Sequence, residues 1–248
     1  MSELRTIAVE GLGEIEAGAD LGALIADACS PCPGDVLVVS QKVVSKAEGR
    51  LRRLDGVEPS ARALELATAT ERDPALVELI LAESRRVVRA TPAALIVETR
   101  GGLVCANAGI DSSNLAEEGT VALLPVDPDR SANALRQHLG AAAGGAVGVI
   151  ICDSFGRPWR LGQTEVAIGC AGIEPLDDWR GRHDRSGRPL GATAIAAADE
   201  IAAAADLVRN KASGVPVAIV RGLERTVVEE PGPGARSLQR PPEQDLFR

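Results

Sequence analysis

Aromatic residues are scarce: two Trp, two Phe and no Tyr among 248 residues. Without aromatic platforms, base-stacking recognition of nucleic acid is not an activity this chain can support. The net charge of -8 argues in the same direction against a general DNA, RNA or anionic-membrane surface. It leaves room for an anionic small ligand held by local Arg, Lys or metal ions. Histidine is nearly missing too. His138 sits in a polar helical pattern and His183 among charges, so both read as surface residues and a Ser-His-Asp triad has nothing to draw on. Neither Gly-x-Ser-x-Gly nor the phosphate-loop pattern GxxxxGK[ST] occurs, which removes the two commonest nucleophile and nucleotide signatures. No apolar run approaches the roughly 18 residues that a membrane span needs. The start, MSELRTIAVEGLGEIE, has no signal-peptide pattern. A cytoplasmic protein with no membrane partner is expected.

With 45% hydrophobic residues, the chain can bury a sizeable core, which must be built from Ala, Val, Leu and Ile. The five cysteines are scattered, and Cys105, Cys152 and Cys170 lie inside apolar runs. They read as small buried hydrophobes. The pair 29-CSPC-32 has redox or zinc spacing, but no second pair or suitably placed His completes a zinc site.

Along the chain, 5-RTIAVEGL-12 predicts a strand, 20-DLGALIADAC-29 a helix capped by Asp20, and 35-DVLVVS-40 a buried strand. From Pro59 to about Val88 the periodicity is helical, broken near Asp73-Pro74. Segments 94-ALIVETR-100 and 102-GLVCANAG-109 flank the Gly101-Gly102 pair and predict a hairpin. Residues 121-125 predict a strand, 130-139 a helix, 146-AVGVII-151 a fully buried strand, 193-212 a long Ala-rich helix with an extended start, and 215-222 a strand. The end, from Leu223 onward, is rich in Pro, Gly and charge and reads as a mobile tail. Hairpins mixed with crossovers predict an α+β fold with a mixed sheet. One domain over 1-248 is expected, with a lobe division left open near 59-90 or 140-145.

Three strand-end segments crowd polar groups together. Asp111 lies in 107-NAGIDSSN-114, Asp153 and Ser154 in 152-CDSFGRPWR-160, and Ser40 and Lys46 in 40-SQKVVSKAEGR-50. Two carboxylates and a hydroxyl are the oxygen donors that Mg²⁺ or Mn²⁺ takes together with substrate phosphates. Arg157, Arg160 and Lys46 would hold and neutralise such phosphates, with Pro158 and Trp159 stiffening the loop between the two arginines. The alternatives are caps, turn residues and solvated arginines. The stretch 11-GLGEIEAG-18 begins like a dinucleotide fingerprint but has Glu16 where the third Gly belongs. It reads as a tight turn that can bring backbone N–H groups near a ligand.

At these residues the chain resembles the coenzyme F-420 gamma-glutamyl ligases. The matching runs are 8-AVEGLGEI-15, 38-VVSQKVVSKAEGR-50, 104-VCANAGIDSSN-114, 123-LLPVDPDRSANALR-136, 150-IICDSFGRPWRLGQTEVAIGCAG-172, 198-ADEIAAAADLV-208 and 214-GVPVAIVRG-222. The resemblance implies a two-lobed α+β fold paired into an intertwined homodimer. It implies GTP-driven addition of L-glutamate to the lactyl carboxylate of F-420-0, a deazaflavin phosphodiester, followed by further γ-linked glutamates. Two divalent ions, Mg²⁺ or Mn²⁺, and K⁺ are implied as cofactors. Carried over by position, Asp111 and Asp153 become ligands of one metal and Ser154 of the second. Leu12, Gly13, Glu14, Ile15, Ser40, Lys46 and Asn114 become GTP contacts, as does the run Val208, Arg209, Asn210, Lys211, Ala212, Ser213 and Gly214. Lys46 and Arg157 are the candidates for stabilising transferred phosphate. A ligase for another carboxylate and a non-catalytic GTP- or metal-binding regulator are the competing readings.

The chain departs from the resembled pattern in three places. Ser154 stands where Thr is common, which keeps the hydroxyl. Gly13 stands where Pro is usual, and Asn210-Lys211 where some relatives carry an acidic residue, which leaves the second metal's ligands open. Some actinobacterial relatives continue past a DLFR junction into a nitroreductase-like domain, whereas 245-DLFR-248 ends this chain. Either a standalone ligase or a piece of a longer protein is expected.

Overall fold

The computed structural model describes residues 3-209 and 213-245. In chain order the strands and helices are β1 (Arg5–Val9), α1 (Leu21–Ala28), β2 (Val36–Ser40), α2 (Gln41–Ala47), β3 (Leu51–Arg53), α3 (Ala61–Thr70), α4 (Pro74–Ala82), β4 (Ser84–Ala90), β5 (Leu95–Thr99), β6 (Val104–Ala106), β7 (Thr120–Ala122), α5 (Pro128–Ala143), β8 (Gly148–Arg157), β9 (Arg160–Ala171), β10 (Asp177–Asp178), β11 (Ala194–Ile195), α6 (Ala197–Asp206) and β12 (Val217–Arg221). The fold is mixed α+β, as the pattern predicts. Its main sheet runs β1-β12-β2-β8-β9, with β2 and β8 parallel and the other neighbours antiparallel.

The central strands are continuous apolar runs because both faces of the sheet are covered. Alternation then sorts their side chains. Leu37, Val39, Val149, Ile151, Val217 and Ile219 pack against Leu21 and Ile25 of α1 and Ala132, Leu135 and Leu139 of α5. Val36, Val38, Ile150, Cys152, Ala218 and Val220 pack on the other face against Ala198, Ile201, Ala202 and Ala205 of α6. A third cluster is separate. There Leu66, Val77 and Ile80 from α3 and α4 meet Leu95 and Val97 of β5.

Helix ends follow local chemistry. The Asp20 carboxylate accepts from the Ala23 N–H at 3.0 Å, as expected for the cap of α1. Asp127 caps α5 and Pro128 opens it, so this helix starts before residue 130 and runs on to Ala143.

Four expectations need correction. Residues 84-90 form β4, because the chain pairs with β5 in an antiparallel ladder; the helical pattern stops at Ala82. The Ala-rich helix has the expected extended start, Ala194–Ile195 pairing with Asp177–Asp178, but α6 ends at Asp206, short of the expected 212. The segment after Cys152 is no loop. β8 continues through Arg157, turns at Pro158-Trp159, and returns as β9. Trp159 takes φ 59° to make that turn. Finally, the described C-terminal segment, 223-245, is anchored rather than loose. The Asp129 carboxylate accepts from Ala235 N–H at 2.7 Å and Cys170 N–H at 2.9 Å, and Pro231 O accepts from Gly172 N–H at 2.8 Å.

Close packing fixes one glycine. A Cβ on Gly169 of β9 would stand 2.3 Å from the Pro128 carbonyl carbon at the start of α5. Backbone cannot yield as a side chain can, so Gly169→Ala is expected to cost about 1–3 kcal/mol of stability. Urea unfolding followed by circular dichroism checks it.

The thiols behave as the apolar runs imply. Burial pushes Cys105 up to about 12, with the charge of Asp153 adding to it. Burial pushes Cys170 up to about 12 as well. Cys29 is raised by its burial and by Asp35, whereas Cys32 is exposed. Iodoacetamide at pH 8 is therefore expected to label Cys32 first and to leave Cys105, Cys152 and Cys170 unlabelled until the protein is denatured, read by peptide mass spectrometry.

Candidate active site

The parallel strands β2 and β8 point their C-terminal ends the same way, and ligands in such sheets bind beyond those ends. A cavity of about 330 Å³ lies there. It gathers groups from segments far apart in sequence: Gly13, Glu14 and Ile15, then Ser40 and Lys46, then Asp111 and Asn114, then Asp153 and Ser154, then Arg209 and Gly214. Of the other candidates, Leu12 is buried in the core beside it and Val208 packs against α6. Ser213 does not line the cavity. Asn210, Lys211 and Ala212 lie outside the described residues. Arg157 and Arg160 stand at the exposed tip of the β8–β9 hairpin, where Arg157 donates to Leu161 O at 2.7 Å. Neither lines the cavity, and neither do His138 and His183.

Asp111 is held tightly. Lys42 Nζ pairs with its Oδ2 at 2.7 Å. Ser113 donates to it through N–H at 2.7 Å and through the hydroxyl at 3.0 Å. Burial alone would raise its pKa, but the Lys42 contact and the Ser113 bonds outweigh it and hold the carboxyl below its ordinary value. Asp111 is therefore an anion presented to the cavity. Lys42 is a site residue missed in the sequence, although a signal existed: Lys42 and Lys46 are four apart and share one face of α2. Lys46 Nζ pairs with Glu14 Oε1 across the cavity edge.

On the opposite wall, the β8–β9 ladder shifts register between Ile151 and Cys152, with the extra residue, Ile168, on β9, after which Asp153 pairs with Val166 and Ser154 with Glu165. Such a bulge bends the strand that carries the extra residue, here β9 with Glu165. The Ser154 hydroxyl donates to Glu165 Oε1. Glu165 Oε2 lies 3.4 Å from Arg209 Nη2. Both partners are deeply buried, at 6% and 7% exposure. Arg209 also donates to Pro216 O at 3.3 Å and to Cys152 Sγ at 3.3 Å, and approaches Asp206 at 3.7 Å. Among the described residues its Nε is buried without a hydrogen-bond partner. Glu165 and Asp206 line the cavity too and were missed. Glu165 becomes legible only once the hairpin register places it opposite Ser154.

The donors suit a hard cation: two carboxylates and a hydroxyl, all oxygen, with Ser154's proton directed towards Glu165. No group of three or more His, Cys, Asp or Glu side chains gathers to hold a metal among the described residues. The remaining ligands would thus be phosphate oxygens and water, which is how Mg²⁺ is usually held. Gly13 takes φ +63°, a conformation closed to proline, so this loop owes its path to glycine. No helix among the described residues is long and apolar enough to cross a membrane.

The model of the family described as "F420-0:Gamma-glutamyl ligase" matches residues 11–222. A "Coenzyme F420:L-glutamate ligase" of Methanopyrus kandleri is 47% identical, over 100% of both chains. Proteins of the same name from Methanothermobacter thermautotrophicus and Archaeoglobus fulgidus are each 44% identical, covering 98% and 97% of this chain and 98% and 94% of their own. With every cavity-lining segment from Gly13 to Pro216 inside the matched span, the chain belongs to the F420-0:gamma-glutamyl ligase family.

Proposed function

We propose that this protein is a GTP-dependent ligase that adds L-glutamate to F-420-0, and then further glutamates through γ linkages. The observation that carries the reading is the convergence of Lys46, Asp111, Asp153 and Ser154 on one cavity in a member of this family. The relatives' names specify F420 and L-glutamate. GTP, the metals and the acyl-phosphate route come from the resemblance and from the chemistry of the site.

A carboxylate is a poor electrophile towards an amine. Transfer of the terminal phosphoryl group of GTP to the substrate carboxylate breaks the bond from phosphorus to the bridging oxygen, and GDP departs with the electron pair. The acyl phosphate that forms is attacked at its carbonyl carbon by the glutamate amine. Phosphate leaves with the carbon–oxygen electrons, and the amine's extra proton passes to solvent. Such transfer depends on positioning and charge neutralisation rather than on a protein nucleophile, so the lack of histidine in the cavity is no obstacle. Lys46 brings positive charge to the phosphates. Lys42 and Ser113 keep Asp111 ionised and oriented, and Glu165 orients the Ser154 hydroxyl. Bound at Asp111, Asp153 and Ser154, two Mg²⁺ or Mn²⁺ ions would neutralise phosphate charge and align the terminal phosphate; K⁺ belongs to the same reading.

The two-lobed form and the homodimer are part of the proposal. The separate third cluster supports two lobes. The hairpin tip exposes Trp159 at 81% and Leu161 at 97%, apolar area that a second copy would cover. In such a dimer Arg157 would act from the partner's hairpin, since it lies away from its own cavity. The test is isotopic. F-420-0 carrying ¹⁸O in its lactyl carboxylate is expected to deliver one ¹⁸O into phosphate for the first glutamate added and none for later ones, which join unlabelled γ-carboxylates; unlabelled phosphate alongside the monoglutamyl product would overturn the acyl-phosphate route.

A further inference from the structure

A second cavity, of about 230 Å³, adjoins the first. Glu14 and Lys46 line both, so their ion pair stands at the boundary. The rest of its wall is Leu51, Arg52 and Arg53 of β3, the segment 115-117, and Thr120 of β7. β3 and β7 form a two-stranded ribbon with Arg53 opposite Thr120. None of these wall residues belongs to the site described above.

We infer that this second cavity seats the amino-acid substrate, an amino dicarboxylate. The inference rests on the ligase reading, in which three reactants must meet at the terminal phosphate. Nucleotide and metal take the first cavity. An acid substrate bearing a deazaflavin ring and a phosphodiester is too large for the second, because drug-sized ligands need roughly 300–1,000 Å³. The amino acid is the one reactant small enough.

Charge supports the same assignment. Lys46, Arg52 and Arg53 face Glu14 and Glu117, one more cation than carboxylate. Glutamate at neutral pH has two carboxylates and one ammonium, the complementary balance. Arg53 is committed to its own neighbours: Nε and Nη2 bond Asp55, and Nη1 bonds Glu117 at 3.0 Å. It thereby fixes Glu117 as a partner for an ammonium. Arg52 is different. Among the described residues only its Nη1 is engaged, on Gly49 O at 3.0 Å and Leu51 O at 2.7 Å. The Nε–Nη2 edge remains to grip a carboxylate with two parallel bonds. Thr120 is 8% exposed, and among the described residues its hydroxyl is buried without a hydrogen-bond partner. An amino acid held in this way would lie beside the Lys46–Glu14 boundary with the phosphate site.

Arg52 is exposed on a short strand, so replacing it leaves the core intact. Steady-state rates are measured for the parent, Arg52→Gln and Arg52→Lys, varying L-glutamate, GTP and F-420-0 in turn. The KM for L-glutamate is expected to rise on the order of 10- to 100-fold in Arg52→Gln, with the KM for GTP within about twofold and part of the loss recovered in Arg52→Lys. An unchanged glutamate KM, or a GTP KM that rises in step, overturns the assignment. In parallel, thermal unfolding is followed with L-glutamate, with and without GDP. L-Glutamate is expected to raise the melting temperature of the parent and not that of Arg52→Gln; no rise in the parent, or an equal rise in both, overturns the site. This second readout needs no turnover. A parent that adds no glutamate yet shows the shift would sink the ligase reading and leave the amino-acid site standing.

Discussion

Asp153→Ala is expected to lower glutamate addition on the order of 10²- to 10³-fold or more, the loss typical of removing a group aimed at developing phosphate charge. The expectation follows from how β8 is built. Its apolar residues through Cys152 are buried between the two helical layers. The strand then continues past the buried centre of the sheet and brings Asp153 and Ser154 to the cavity at its C-terminal edge. Asp153 is half-buried rather than part of the core, so its removal should leave folding largely unchanged. Asp111, the other carboxylate of the site, is paired with Lys42. Electron paramagnetic resonance of Mn²⁺ with GDP is expected to show weakened binding in the variant. Full activity and unaltered Mn²⁺ affinity in Asp153→Ala would break the metal-site assignment while leaving the family membership untouched.

Glu165→Ala is expected to destabilise the protein by about 3–5 kcal/mol. Arg209 would be left buried with its principal ion-pair partner gone. Asp206, at 3.7 Å and partly exposed, is a poor substitute. Among the described residues Arg209 already carries one unsatisfied buried nitrogen, and an uncompensated buried charge is among the costliest changes a core can suffer. Glu165→Gln keeps an acceptor for the Ser154 hydroxyl and the shape of the side chain, so a smaller loss is expected. Urea unfolding of the three proteins decides the matter. A change under about 1 kcal/mol in Glu165→Ala would mean that Arg209 moves to solvent and that the pair is no support for the cavity wall.

Much of this architecture is legible in the chain. Runs such as 36-VLVVS-40 and 148-GVIIC-152 are β-branched and apolar on both faces, so they declare strands buried between layers. Asp20 and Asp127-Pro128 announce helix starts through side-chain chemistry that acts within one turn. The Gly101-Gly102 pair announces its hairpin for the same local reason. What stayed hidden depends on long-range pairing. Nothing within 152-CDSFGRPWRLGQTEVAIG-169 says that both arms extend, because glycine and charge usually mean a loop; the ladder to β9 decides it. The segment 84-SRRVVRA-90 follows a helix without a break residue, and only pairing with β5 turns it into a strand. The C-terminal segment looks unanchored until Asp129 is seen to receive its backbone N–H.

The candidate site divides along the same line. Asp111, Asp153, Ser154 and Lys46 stand out individually because each ends or follows a strand with polar neighbours. Lys42, Glu165 and Asp206 are ordinary charged residues by local pattern. They acquire a role only through contacts across about 70 residues for Lys42 with Ser113 and 11 for Glu165 with Ser154. The hairpin tip gives the reverse case. Arg157 looks like part of the same cluster from its distance in sequence to Asp153, yet the extended strand carries it away from the cavity.

The most direct test of the account is mass spectrometry of F-420-0 incubated with the protein, L-glutamate and Mn²⁺, with GTP, with ATP or with no nucleotide. Mass increments of one and more glutamyl units with GTP, and none without nucleotide, are the predicted result. GTP hydrolysis or binding with no increment on F-420-0 would contradict it, and would turn the same cavity over to a different carboxylate substrate or to a nucleotide-binding role without ligation.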